Sequence, residues 1–265
     1  MKSLFFALPT LLLLTTPAWA RPAALDAVDR RVEEIRHAGS VPIIVADLDE
    51  TLIDSTARRT YSYGDAVRVL CGENRSGDCG HAAGLNLTEV FALPNHYDLH
   101  PLFARVGITD AGWIKRLDDT AFNIYLSGKW LELDQPTPGA AEYVQRLRAA
   151  GATIFFVTAR WQKSQGPGTL ASLKHLGMAT DADSDFVILR PEGLSSLEFK
   201  RRSFATINEW ASAHGGVIAG SFENEPENMN AMIDAFPGSE RVFVRGAFIK
   251  DEPLKLEVPT IVDFR

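Results

Sequence analysis

Residues 43–46, Ile-Ile-Val-Ala, run straight into Asp47, and Asp49 and Thr51 follow at spacing two. No other stretch leaves the chain so few options. A short run of mostly β-branched apolar residues reads as a strand buried on both faces, the kind found inside a parallel sheet covered by helices. Ligands of open α/β sheets bind outside the carboxyl ends of the strands, so Asp47 and Asp49 are expected where chemistry is done. Two blander readings compete: a capped turn after a strand, and a calcium loop of the Asp-x-Asp-x-Asp-Gly kind. The calcium loop lacks its third acid and its glycine, because positions 51 and 52 are Thr and Leu.

The rest of the chain is patterned to build such a sheet. Residues 22–38 carry Leu25, Val28, Val32 and Ile35 at helical spacing, and Gly39 ends that helix. After Asp54 the pattern changes to short helical pieces, polar loops and many aromatics, with no second buried strand before about residue 135. The core resumes at Pro136-Thr137-Pro138-Gly139. A helix over 140–150 follows, with Tyr143, Val144 and Leu147 inward and Gly151 as its stop. Strands are predicted at 152–157, 186–189, 217–222 and 241–244, with a terminal strand or docking segment at 260–264. Helices are predicted at 169–176, from Ser195 to about 214, and at 227–236. This order indicates an α/β, Rossmann-like fold: a parallel sheet with helices on both faces. Its core is residues 21–54 and 136–265, and residues 55–135 form an inserted, mainly helical unit.

The strand followed by Asp47-x-Asp49-x-Thr51 resembles motif I of the haloacid dehalogenase (HAD) superfamily of phosphohydrolases. The resemblance implies Asp47 as nucleophile and Asp49 as general acid/base. The division is chemically sensible: one carboxylate attacks phosphorus to give an aspartyl-phosphate, and a second carboxyl protonates the departing alkoxide. Mg²⁺ is implied as well, held by Asp47, the Asp49 backbone carbonyl and a later acid, which offsets the repulsion between carboxylates and a phosphate dianion. Thr158 ends the next core strand and resembles motif II, whose hydroxyl and backbone N–H groups hold phosphoryl oxygens. Arg160 either adds a bidentate phosphate contact or pairs with a cap or loop carboxylate. Motif III is a Lys at the start of a later helix. Lys200 fits it best, Lys163 is the alternative, and a solvated helix face is the bland reading of residues 200–202. Motif IV usually reads GDxxxD, GDxxND or DD, but here Ser221 stands after Gly220 where Asp is expected. The run FENEPEN looks instead like the E-D-x-P-E pattern of some branches, which makes Glu223 or the Asn224 carbonyl the last metal ligand. Glu225 and Glu227 then act through waters or only favour the start of the next helix.

HAD proteins often insert a selectivity-setting cap after motif I, which is the implied role of residues 55–135. Tyr61, Tyr63, His81, His96, Tyr97, His100 and Trp113 are its candidates to line an active-site mouth; for each, a plain core or surface role competes. Phosphonatase chemistry would require a Schiff-base Lys near motif I, and the insert's lysines, Lys115 and Lys129, lie elsewhere. A dehalogenase would have no use for a leaving-group acid such as Asp49.

Lys2, the apolar run 4–14 and Ala18-Trp19-Ala20 read as a secretory signal peptide cleaved after Ala20. The apolar run, interrupted by Pro9, is too short for a stable span. A periplasmic or secreted protein free of the membrane after cleavage is therefore expected. There, the lone pair Cys71 and Cys79 is most simply a disulfide, with a zinc site including His81 as the rival. The formal net charge of −7 becomes −8 without Lys2, the one charged residue of the leader. That balance argues against general nucleic-acid binding and leaves room for a small phosphorylated substrate, which answers to local charge. Together these features imply an exported Mg²⁺-dependent phosphomonoesterase, similar to the secreted class C acid phosphatases apart from their missing GDNxxDF element. The rival is a non-catalytic phosphate- or metal-binding periplasmic protein, kept open by Ser221.

Overall fold

The structure, a computed structural model, describes residues 21–74, 76–247 and 252–265. The signal peptide expected at residues 1–20 lies outside the described residues. Helix α1 (Ala23–His37) buries Leu25, Val28, Val32 and Ile35 and leads into β1 (Val41–Ala46). The two-residue strand β2 (Ile53–Asp54) opens a helical segment of α2 (Thr56–Cys71), α3 (Gly77–Ala82), α4 (His100–Arg105) and α5 (Ala111–Leu126). Strand β3 (Gln135–Pro136) closes the segment by pairing antiparallel with β2. Then come α6 (Ala140–Ala149), β4 (Thr153–Trp161), α7 (Gln162–His175), β5 (Val187–Arg190), α8 (Ser196–Ala213), β6 (Gly216–Glu223), α9 (Pro226–Ala235), β7 (Glu240–Val244) and β8 (Thr260–Ile261).

Six strands form one sheet in the order β5-β4-β1-β6-β7-β8, every neighbouring pair parallel. The alternation within β1 shows why its sequence is apolar throughout. Ile44 and Ala46 pack against α1, α6 and α7, whereas Ile43 and Val45 face Phe204, Ile207, Met229 and Met232 of α8 and α9. Each side chain as large as Ile or Val buried this way stabilises the fold by about 1.5–3 kcal/mol. Gly220 lets α1 lie close on β6, since a Cβ there would sit 2.9 Å from a methyl of Val28. The helical segment has its own apolar cluster, including Val90, Leu102, Phe103, Trp113 and Leu117. Among the described residues no helix is long and apolar enough to cross a membrane.

Three elements depart from the sequence expectations. Strand β4 runs on to Trp161, past Thr158. The last strand is only Thr260–Ile261, with Phe264 packed into the core beyond it. Helix α7 begins at Gln162 rather than at 169, although its first turns hold Gly166, Pro167 and Gly168. Tertiary contacts override these breakers: Ser164 donates to the Leu126 carbonyl at 2.6 Å, and the Gln165 carboxamide donates to the Tyr125 carbonyl at 3.4 Å.

Cys71 and Cys79, eight positions apart, are joined in a disulfide at the end of α2, which removes the zinc alternative. Closing so short a loop stabilises the native state by about 2–3 kcal/mol through the unfolded chain's lost freedom. Paired Cys71→Ser and Cys79→Ser substitutions are therefore expected to lower the unfolding midpoint by several degrees. An unchanged thermal melt would show the bond to be incidental.

Candidate active site

Asp47 extends the β1 ladder by one bond, donating its N–H to the Phe222 carbonyl of β6 at 3.0 Å, and the chain then turns sharply. Glu50 takes a left-handed conformation (φ 62°) at the turn. Gly246 permits it, because a Cβ at that position would come within 2.6 Å of the Glu50 carbonyl oxygen. The turn delivers Asp47 and Asp49 to one cavity of about 310 Å³, which is also lined by Thr158, Arg160, Lys200 and Asn224. Six of the seven site residues proposed from sequence thus meet there. Glu223, the seventh, stands at the end of β6 and is fully buried behind Lys200.

Two ionic clusters organise the site. In the first, Lys200 Nζ donates to Asp47 Oδ1 at 2.7 Å and to Glu223 Oε2 at 2.5 Å. One cation faces two carboxylates, so this buried cluster carries an excess negative charge when both acids are ionised. Burial pushes Asp47 up to about 7; Lys200 works against the rise and Glu223 adds to it. Burial likewise raises Glu223, again with Lys200 in opposition. The ammonium of Lys200 loses hydration, but its two carboxylates outweigh that and hold it charged well above neutrality. Lys163, the alternative phosphate lysine, is exposed on α7 and is not among the cavity's lining residues.

The second cluster was only half visible in the sequence. Arg160 grips Asp49 with two bonds, Nε to Oδ2 at 3.0 Å and Nη2 to Oδ1 at 2.6 Å, and its Nη2 also reaches Asp134 Oδ2 at 2.7 Å. Arg58, from the first turns of α2, forms an ion pair with Asp49 and places Nε 3.0 Å from Asp134 Oδ1. Two carboxylates thus balance two guanidiniums. Burial favours a neutral Asp49, but Arg160 and Arg58 overcome it and hold the carboxyl well below the usual carboxylate range. Arg160 therefore takes its carboxylate-pairing alternative, with Asp49 and the loop acid Asp134 as partners. Sequence reasoning missed Arg58 and Asp134. The signals available were an Arg pair just after motif I and an acid where the insert returns to the core.

Behind Arg58, Tyr125 accepts from its Nη2 at 2.9 Å and donates to Ser55, whose hydroxyl donates to Glu50 at 2.5 Å. His96 Nε2 lies 2.9 Å from the other Glu50 oxygen. Of the seven insert residues singled out, only Tyr97 lines the cavity and His96 sits beside its Glu50 support. Tyr63 and Trp113 belong to the helical segment's core, while Tyr61, His81 and His100 are exposed. Lys115 pairs with Asp119 and Lys129 with Asp65, away from the cavity.

No cluster of three or more His, Cys, Asp or Glu side chains able to hold a metal occurs among the described residues. The oxygen donors around Asp47 nonetheless suit a hard cation. Thr51 has one hydroxyl proton, yet both Asp47 Oδ2 (3.2 Å) and Asn224 Oδ1 (3.0 Å) converge on it, so one acceptor is left without it. The excess negative charge of the Lys200 cluster lies at the same place. Glu223 is less available, because its Oε1 accepts the N–H groups of Asn224 and Glu225 and its Oε2 takes Lys200. Ser221 lies inside β6 with its buried hydroxyl unpartnered, so the acid of this strand end is Glu223.

No protein-family model and no curated protein matches the sequence. Solved structures do. A candidate phosphatase from Clostridium difficile aligns at 13% identity over 79% of this chain and 87% of its own, with TM-score 0.50. Protein Tyrosine Kinase A of Mycobacterium tuberculosis aligns at 16% over 83% and 93%, also at 0.50. A HAD hydrolase of family IA from Entamoeba histolytica aligns at 13% over 84% and 94%, at 0.48. The chain shares the fold of the first two, a parallel α/β sheet covered by helices on both faces. Within that fold a structure named for a kinase stands level with a candidate phosphatase, so the reaction has to be argued from the site.

Proposed function

We propose that the protein is an exported, Mg²⁺-dependent phosphomonoester hydrolase that works through an aspartyl-phosphate. The supporting observation is the buried Asp47–Lys200–Glu223 unit opening into one cavity with Thr158 and Asp49. An Asp47 carboxylate oxygen attacks phosphorus, the phosphorus–oxygen bond to the leaving group breaks, and the departing oxygen takes a proton from Asp49. Water then attacks the aspartyl-phosphate while Asp49 takes its proton, releasing phosphate and restoring Asp47. Lys200 and the Thr158 hydroxyl hold the phosphoryl oxygens. Mg²⁺, held by Asp47, Asn224 and the Asp49 backbone carbonyl, would supply charge neutralisation between nucleophile and phosphate. Asp49 is ready as a base. To act as an acid it must first be protonated, which Arg58 and Arg160 oppose, so one guanidinium has to turn towards substrate.

The segment between β2 and β3 serves as the cap, contributing Arg59, Tyr97, Phe122 and Tyr125 to the cavity wall. Export accords with the leader-like residues 1–20 and with a disulfide, a bond that persists in oxidising compartments.

The reading is tested with the mature chain and an aryl phosphate, with and without a chelator. Turnover that requires added Mg²⁺ is expected. Asp49→Asn should lose about 10²- to 10⁴-fold on alkyl phosphates and much less on aryl ones, whose leaving groups need little protonation. Absence of hydrolysis on both classes would favour a non-catalytic binding protein instead.

A further inference from the structure

The arginines around the cavity are not equivalent. Arg58 and Arg160 are balanced by Asp49 and Asp134. Arg59 and Arg190 line the same cavity as Asp47 and Lys200, yet neither makes a side-chain hydrogen bond or ion pair among the described residues, and the Nε of each is buried without a partner. Both are held by aromatic faces instead. The Arg59 guanidinium lies 3.9 Å from the ring centre of Tyr97 and 4.7 Å from that of Tyr125; Arg190 lies 3.9 Å from that of Trp161. Glu50 is the acid whose charge Arg59 feels, and it is engaged by His96 and Ser55.

We propose that Arg59, assisted by Arg190, binds a second anionic group of the substrate, a carboxylate or a second phosphate, apart from the phosphoryl group that Asp47 attacks. The inference rests on the phosphatase reading for the reacting end of the ligand. Stacking fixes the plane of a guanidinium but satisfies none of its N–H donors, and that fork matches carboxylate and phosphate oxygens two at a time. Because the rings hold Arg59 in place beforehand, little side-chain freedom is lost when an anion docks. A cavity of about 310 Å³ suits a small metabolite carrying both groups.

Calorimetric titration of the mature, Mg²⁺-loaded protein with three non-hydrolysable compounds decides the matter: propylphosphonate, 3-phosphonopropionate and propane-1,3-bisphosphonate. The two compounds with a remote anion are expected to bind at least about tenfold more tightly than propylphosphonate, the scale of a charge-assisted hydrogen bond. Whichever of the two binds better identifies the anion. Arg59→Met should bring the ratio near one, and Arg59→Lys should keep part of it. Equal or undetectable binding of all three by the wild type, which needs no variant to fold, overturns the proposal. A loss common to all three ligands in Arg59→Met would also do so, by assigning Arg59 to packing. Selective binding of the remote-anion compounds without turnover of the matching phosphate monoesters, those that carry the remote carboxylate or second phosphate, would instead sink the phosphatase reading and leave this subsite standing.

Discussion

Asp47→Asn is expected to be inactive on every phosphomonoester, with losses on the order of 10⁴-fold or more, because the attacking oxygen is replaced by an amide that cannot form the covalent intermediate. Its signature is a lack of dependence on leaving group, in contrast to Asp49→Asn. Rapid acid quench of the wild type should trap phosphate on Asp47, and the variant should trap none. Substantial residual turnover in Asp47→Asn would refute the covalent mechanism.

The same substitution carries an expectation for stability that separates chemistry from folding. Burial raises Asp47 from the ordinary value of 3.8 to about 7, so between these values the folded state binds the proton that the unfolded state releases. The sign follows: this group's contribution is full below the unfolded value and is lost as pH rises towards about 7. Asp47→Asn leaves Lys200 with Glu223 alone, one charge against one. Without divalent cation the variant should therefore melt higher than wild type at pH 7 to 8, by about 2–4 °C per kcal/mol recovered, and should show no such gain near pH 4. A variant that is both inactive and destabilised at pH 8 would point to a damaged fold.

What could be read from the sequence was whatever depends on residues close together in the chain. An apolar run ending in Asp47 states its own burial and direction, and the Thr158 strand and the helix of Lys200 follow the same local grammar. Two placements were out of reach. β2 and β3 are two residues each, Ile53–Asp54 and Gln135–Pro136, and have no alternation to detect. The pairing of Arg58 with Asp134 joins the two ends of the helical segment, and nothing in an Arg-Arg pair or a Leu-Asp-Gln run records which partner each charge will meet. The start of α7 was misread for a related reason: Gly-Pro-Gly disfavours a helix locally, while the contacts that stabilise it come from α5.

Those long-range charges support the largest stability effect expected here. The Asp134 side chain is fully buried, and it is the only carboxylate besides Asp49 ion-paired with Arg58 and Arg160 among the described residues, whose side chains are 0% and 1% exposed. Asp134→Ala leaves two almost wholly buried guanidiniums sharing Asp49, an uncompensated positive charge at the wall of the cavity. Removing one partner of a buried ionic cluster costs about 3–5 kcal/mol. That is a large share of a typical domain's 5–15 kcal/mol and about 10 °C in unfolding midpoint for a chain of this size. Removing Arg58 as well, in an Arg58→Met/Asp134→Ala double variant, restores one charge against one and should return part of the loss. The two substitutions are then strongly non-additive, as expected of partners in one network. The single variant also leaves more positive charge for Asp49 alone, which makes that carboxyl harder to protonate, so whatever Asp134→Ala protein folds should lose more activity on alkyl than on aryl phosphates. An Asp134→Ala melt within a degree of wild type, or strict additivity in the double variant, would show that the cluster does not hold the helical segment to the core.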